Sequence, residues 1–284
     1  MGTSRFLGPG SFIVYKLLAS LYCLFWCIWW PARDRIKAYL FLNFWTFYVA
    51  TAYFFLSLFS AVVVATALRH ERAHLTHHGD DPKKEIQRGR TFKGPPVPWQ
   101  IRYLQHFTWS VACISSLVVV TVFWTTIYDG SPLTTVDYNI HAVIPCLMVL
   151  DQLLIATDYK CRAFWLTEYY AIVYIFFNLG WYYEKSRSER VLYEVMDWEV
   201  DPGRATLLTF IILCGLIPAA SVFHSMVCQT REWIFKTCMG GSSPSGADGE
   251  HAAAPAPAPA SAAPTPAPAP ASASATKHSG ADMA

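Results

Sequence analysis

The sequence predicts an all-α polytopic membrane protein of six transmembrane helices, followed by a disordered C-terminal tail. The strongest observation is that residues 39–68 contain no Asp, Glu, Lys, Arg or His. At about 1.5 Å per residue, a helix of this length exceeds the roughly 30 Å of hydrocarbon in a bilayer. The composition agrees, since 54% of the residues are apolar and 15% are charged. The 11 Trp, 15 Tyr and 18 Phe suit a protein that is anchored at two water–lipid boundaries.

Six apolar runs are predicted as membrane spans within a domain of residues 1–239: 12–30, 39–68, 107–128, 140–156, 163–183 and 205–227. Three of these spans hold a Lys, Asp or Glu residue, namely Lys16 in the first, Asp151 in the fourth and Glu168 in the fifth. An unpaired charge inside a membrane is costly, and partners at equal depth are therefore expected. We predict that Lys16 pairs with Asp151 or with Glu168.

The distribution of Lys and Arg predicts the orientation of the spans. The 69–106 loop contains eight Lys or Arg residues, whereas the 129–139 loop contains none. Because positive loops stay on the cytosolic side, both termini are predicted to be cytosolic. The protein is expected in the plasma membrane or an endomembrane.

The last segment, 240–284, alternates Ala and Pro with Ser, and it is predicted to be disordered with polyproline character. The formal net charge is +2, so the composition does not point to nucleic acid. The expected partners are membrane lipids. No cofactor is predicted, since the chain lacks a phosphate-binding loop and a dinucleotide-binding fingerprint.

A histidine cluster follows the second span: His70, His74, His77 and His78. On a helix these four residues fall within a sector of about 100°. We expect the second helix to continue to about His78 and to stop at residues 79–82, where Gly and Pro occur. Imidazoles one turn apart can share a metal ion, to which His106 and His224 could add ligands. The preferred interpretation is a basic, solvated helix end next to lipid headgroups, and the alternative is a metal-dependent lipid oxidase.

The fourth span begins with Asn139 and His141 at the outer boundary and contains Asp151 at greater depth. An ionisable residue at membrane depth is a candidate functional residue. His141 could act as a general base, or it could be a hydrogen-bonded interfacial histidine. His141 and Asp151 lie about 15 Å apart along the helix, so they do not form a catalytic pair.

Five short motifs follow one another along the chain: Tyr128-Asp129-Gly130, Asn139-Ile140-His141, Leu147-Met148-Val149-Leu150-Asp151, Tyr193-Glu194-Val195-Met196-Asp197-Trp198 and Pro202-Gly203-Arg204-Ala205. In this order they resemble the rolling-stone family of multi-pass membrane proteins, whose second span also fits Trp45, Phe47, Thr51 and Tyr53. The resemblance covers roughly residues 12–230. That family's pattern is in turn similar to the androgen-induced family of membrane hydrolases, which cleave esters of hydroxy fatty acids with an intramembrane Thr and His.

The resemblance implies that His141 takes the place of the hydrolase His. The position of the hydrolase Thr falls on Leu40 or Asn43, neither of which can attack an ester, and Thr46 lies a few residues further on. The sequence therefore favours a non-catalytic lipid-binding or membrane-organising protein with His141 at the outer mouth of a cavity. Its candidate polar binding residues are Asn43, Asn139, Asp151, Lys16 and Glu168. The alternative is an intramembrane hydrolase that uses Thr46 and His141.

Overall fold

A computed structural model describes residues 3–4, 6–34, 39–77, 97–157, 164–185 and 192–238 of the chain. Within these residues the secondary structure is helical, apart from one isolated bridge between Ser4 and Ile155. The α-helices are α1 (Pro9–Asp34), α2 (Leu42–His77), α3 (Trp99–Val122), α4 (Thr135–Tyr138), α5 (Ile144–Leu154), α6 (Phe164–Glu184), α7 (Pro202–Ile211) and α8 (Ile217–Cys238). A short 3₁₀ helix, Glu194–Met196, lies between α6 and α7.

Three π-helical segments lengthen or join these helices. Phe123–Ile127 continues α3, Asn139–Val143 joins α4 to α5, and Ile212–Leu216 joins α7 to α8. The described residues thus form six long helices in chain order, of which the third ends in a π turn and the fourth and the sixth each contain one.

Local sequence signals account for two of the helix starts. Thr134 and Asp137 form a capping box at α4, in which the Thr134 N–H donates to Asp137 Oδ2 at 2.9 Å. At α7 the Asp201 side chain accepts from the Arg204 N–H at 2.9 Å, and Pro202 occupies the first turn. These bonds satisfy backbone donors that a helix cannot satisfy internally.

Among the described residues, four helices are long and apolar enough to cross a membrane: Pro9–Ala32, Leu42–His70, Trp99–Ile127 and Pro202–Cys238. The helices at 135–154 and 164–184 are not among them. The first contains Asp137, Asn139 and Asp151, and the second contains several Tyr and Trp residues, which lower mean hydropathy. The predicted tail, 240–284, lies outside the described residues.

The helix boundaries differ from the sequence prediction at two positions that matter for the site. The last helix does not end at Val227 but continues to Cys238, so Arg231 belongs to it. The helix containing His141 begins at Thr135, earlier than predicted, because the capping box starts it there. Helix α2 does extend as predicted, to His77, while the predicted stop at 79–82 lies outside the described residues.

Side chains from two other parts of the chain donate hydrogen bonds to the free carbonyl groups at the C-terminal end of α5. Arg231 Nη1 donates to the carbonyl oxygens of Gln152, Ile155 and Thr157 at 3.1, 2.7 and 2.9 Å. Ser4 Oγ donates to the Leu154 carbonyl at 2.6 Å. The last carbonyls of a helix have no partner within it, and in an apolar environment each needs one. Arg231 and Ser4 therefore fix the end of the helix that carries Asp151.

Candidate functional site

Of the two acids predicted as partners for Lys16, the structure selects Asp151. Lys16 Nζ donates to Asp151 Oδ1, and both side chains are 0% exposed. The Tyr15 hydroxyl donates to Asp151 Oδ1 at 3.0 Å and the Tyr53 hydroxyl donates to Oδ2. This ion pair links α1, α2 and α5 at one depth.

Aromatic rings surround the Lys16 ammonium. Its Nζ lies 4.7 Å from the ring centroid of Tyr53, 5.2 Å from that of Phe54 and 5.3 Å from that of Phe12. Ring faces attract cations at these distances. Glu168 is half-buried on α6 and is not a partner of Lys16. The Lys16–Asp151 cluster is compensated by protein groups, which favours a structural role over ligand binding.

A second buried cluster lies around Gln152, the next residue of α5, which faces α3 and α8. The Gln152 Nε2 donates to the His224 carbonyl at 2.5 Å and to Cys228 Sγ at 3.1 Å. The His224 ring contacts the Gln152 side-chain amide through Nδ1 and the Cys113 carbonyl through Nε2. The sequence offers His224 as an additional metal ligand, but its ring is buried and bonds to α5 and α3 instead.

The predicted metal site receives no support from the described residues. Among them, no group of three or more His, Cys, Asp or Glu residues could hold a metal ion. His70 is exposed. The side chains of His74 and His77, together with His78, lie outside the described part of the structure, so the prediction for the full cluster is untested.

The main cavity of interest lies beside His141. It has a volume of about 70 Å³, and about 710 Å³ of atom-free space when its open side is counted. Its wall comes from α2, α3, α6, α7, all three π segments and the loop before α7: Leu42, Asn43, Val118, Val119, Val122, Ile127, His141, Ala171, Tyr174, Ile175, Tyr193, Val195, Met196, Leu208, Thr209 and Ile212. The wall is mostly hydrocarbon with a few polar groups, which is typical of pockets for small molecules.

His141 is 6% exposed and forms part of this wall. Its ring stacks on that of Phe123, with centroids 3.6 Å apart and planes 4° from parallel. Its Nδ1 is buried and has no hydrogen-bond partner among the described residues. The prediction that His141 faces the interior is confirmed, whereas the alternative of a hydrogen-bonded interfacial histidine does not hold for this nitrogen.

The three π segments meet at this cavity. Phe123, in the first, supports the His141 ring; His141 lies in the second; Ile212, in the third, lines the wall. A π turn inserts one residue into a helix and redirects the side chains there, and such turns are frequent at functional sites. Their convergence distinguishes this cavity from ordinary packing defects.

A loop segment covers one end of the cavity. The Tyr193 hydroxyl accepts from the Leu42 N–H, a free donor at the start of α2, at 3.0 Å. The Tyr174 hydroxyl donates to the Leu40 carbonyl at 2.9 Å. Burial raises the pKa of Tyr193 to about 12, so its hydroxyl stays neutral at physiological pH. An uncharged hydrogen bond therefore attaches the loop to the start of α2, and Tyr174 attaches α6 to the residues just before it.

The structure brings only some of the predicted polar residues to His141. Asn43 lines the same cavity, although its Oδ1 also accepts from the Phe44 N–H at 3.0 Å. Asn139 is buried and bonds to the Tyr22 hydroxyl instead. Thr46 is buried, does not line the cavity and forms no hydrogen bond to His141. The predicted Thr46–His141 pair is therefore not formed in this conformation.

Sequence reasoning missed Thr209, which lies on α7 and lines the cavity. Its Oγ1 is buried and, like His141 Nδ1, has no hydrogen-bond partner among the described residues. A Thr in an apolar helix is too common to single out from sequence. The cavity thus holds two unsatisfied polar atoms in a wall that is otherwise largely apolar.

No protein-family model, curated protein or solved structure matches the chain. The geometry of the site therefore provides the main evidence about function. An apolar cavity with a few polar atoms can hold an apolar chain and orient one polar group. Among the described residues that line the cavity, no hydroxyl group is hydrogen-bonded to His141.

Proposed function

We propose that the protein is a multi-pass membrane protein that binds one lipid chain in the cavity beside His141 and does not cleave it. The observation that carries this proposal is His141 Nδ1, a buried and unpartnered polar atom at the wall of an apolar cavity. Leaving such an atom unpaired costs about 1–3 kcal/mol, and a ligand that bonds to it would remove that cost. The ordered motifs that resemble the rolling-stone family also support a membrane protein of this kind.

Binding of a radiolabelled lipid to purified protein in nanodiscs tests this function. Ala171 is buried and lines the cavity, so Ala171→Phe would fill the space. Ala52 is exposed on α2, so Ala52→Phe is a matched control that adds the same ring outside the cavity. We expect Ala171→Phe to reduce bound lipid at least tenfold, and Ala52→Phe to leave it unchanged.

Two results would contradict the proposal. Equal lipid binding by Ala171→Phe and wild-type protein would exclude the cavity as the binding site. Turnover of a fatty-acid ester that disappears in His141→Ala would show that the site is catalytic.

We also propose that all six long helices cross the bilayer and that both termini are cytosolic. The fourth helix, from Thr135 through its π turn to Leu154, and the fifth, Phe164–Glu184, are each about 30 Å long at 1.5 Å per residue. Their polar side chains include inward-facing Asp151, His141 and Asn178. Such inward placement is how polar residues are accommodated in membrane bundles.

A protease-protection experiment checks the orientation. A tag after Ala284 is expected to be cleaved on the cytosolic face of intact vesicles, and a tag inserted at Gly130 to be protected. The chain at Gly130 lies in a loop and adopts a positive φ of 88°, with open space around it, so an insertion there should be tolerated. The reverse pattern of protection would invert the topology.

A further inference from the structure

The cavity contains two polar atoms that the protein itself leaves unpaired. His141 Nδ1 and Thr209 Oγ1 lie on different helices, and both residues line the same wall. His141 is more than nine-tenths buried, so water reaches its ring poorly. Unpaired buried polar atoms are rare in folded proteins, and each calls for an explanation. Other buried side-chain atoms among the described residues, such as Thr46 Oγ1 and Ser57 Oγ, also lack a partner, but these two belong to residues that line one cavity, where a single bound polar group would satisfy both.

The hydrogen-bonding inventory of these atoms narrows the choice of that group. A threonine hydroxyl donates one bond and accepts others, whereas a neutral imidazole nitrogen donates or accepts according to its tautomer. A hydroxyl group on the ligand can donate to one atom and accept from the other, so it satisfies both for either tautomer. A carbonyl group can only accept, so it fails when Nδ1 carries no hydrogen.

The absence of charged residues from the cavity wall narrows the choice of ligand further. None of the residues that line the cavity is Lys, Arg, Asp or Glu. A carboxylate or phosphate that moved from water into this cavity would find no opposite charge there, and such a transfer is strongly unfavourable. The ligand is therefore expected to be uncharged.

We propose that the cavity selects an uncharged single-chain lipid with a terminal hydroxyl group, which His141 Nδ1 and Thr209 Oγ1 bind while the chain fills the apolar part. This inference rests on the proposed lipid-binding function, since it specifies the ligand of the same cavity.

The test compares three probes of equal chain length on the full-length protein in nanodiscs: hexadecanol, hexadecane and hexadecanoate. Each probe competes with a tritiated hydrophobic lipid. We expect hexadecanol to bind about tenfold more tightly than hexadecane, because it satisfies atoms that the alkane leaves unpaired. Hexadecanoate should bind no better than hexadecane.

Substitutions assign this preference to the two atoms. Thr209→Val keeps the shape of the side chain but removes its hydroxyl, and it should reduce the hexadecanol advantage to about threefold or less. His141→Phe should have the same effect and should preserve stacking on Phe123. The matched control is Thr108→Val, at a buried Thr on α3 whose hydroxyl bonds to its own helix and does not line the cavity. This control should leave the tenfold preference intact.

The outcomes separate the two proposals. Equal binding of hexadecanol and hexadecane would overturn the hydroxyl inference while leaving the lipid-binding cavity in place. Tighter binding of hexadecanoate would also overturn it, since the ligand would then be an anion. Failure of all three probes to compete would overturn the lipid-binding function itself. A preference that survives in Thr209→Val and in His141→Phe would place the hydroxyl site elsewhere.

Discussion

Asp151→Asn is expected to destabilise the protein by about 3–5 kcal/mol, the usual cost of removing one partner from a buried ion pair. Asn keeps the shape of the side chain and can still bond to the Tyr15 and Tyr53 hydroxyls. The Lys16 ammonium, at 0% exposure, would lose its counter-ion and keep only uncharged partners, namely ring faces, a tyrosine oxygen and the new amide oxygen. Chemical unfolding in mixed micelles, followed by far-UV circular dichroism, measures this free-energy change.

The double variant Lys16→Met/Asp151→Asn is expected to recover most of this loss, because neither side chain then carries a charge. Lys16→Met alone should cost less than Asp151→Asn, since two hydroxyl donors continue to satisfy the carboxylate. Glu168→Gln is the control, at a half-buried acid on α6, and should change stability by no more than about 0.5 kcal/mol. Equal losses in Asp151→Asn and the double variant would show that charge compensation is not what the pair provides.

Arg231→Met is expected to cost about 3 kcal/mol or more. The change removes the donor to three carbonyl groups, those of Gln152 in the last turn of α5 and of Ile155 and Thr157 just after it. Each buried acceptor that is left unpaired costs about 1–3 kcal/mol. The same unfolding measurement applies. Hydrogen exchange should also rise at the amides of residues 151–155, because the end of α5 would fray.

Arg204→Met is the matched control, since Arg204 is an exposed arginine at the start of α7. It should leave stability and exchange unchanged within about 0.5 kcal/mol. Arg231→Lys should recover part of the loss, because it restores a donor without the planar guanidinium that reaches several acceptors. If Arg231→Met behaved like Arg204→Met, the carbonyls of α5 would have another source of hydrogen bonds.

The helical class, and the pairing of Lys16 with an acid at equal depth, could be predicted from the sequence because both follow from simple physical constraints. Long runs without charge must be helical in lipid, and charges inside such runs need partners at equal depth. The depth argument did not decide between Asp151 and Glu168, since that choice depends on which helices are neighbours. Arg231 was missed because hydropathy ended the sixth span at Val227, whereas the helix continues with polar residues to Cys238.

The candidate site was only partly predictable. His141 stood out as an ionisable residue at the start of an apolar run, and its inward orientation followed from the cost of exposing a ring nitrogen to lipid. Its neighbours could not be predicted, because π turns shift the register of the helices around it. The resemblance to the hydrolases pointed to Thr46, near the place of their nucleophile on the second span, whereas the cavity wall contains Thr209.

The most direct test of the central claim is photolabelling with a lipid whose chain carries a diazirine, followed by mass spectrometry of the labelled residues. A lipid bound in the cavity should label inward-facing wall residues such as Val119, Ala171 and Ile212, and Ala171→Phe should suppress the labelling at Val119 and Ile212. Label confined to outward-facing residues such as Phe176 and Val222, which are 71% and 52% exposed, and equal in wild type and Ala171→Phe, would contradict a lipid-binding cavity beside His141.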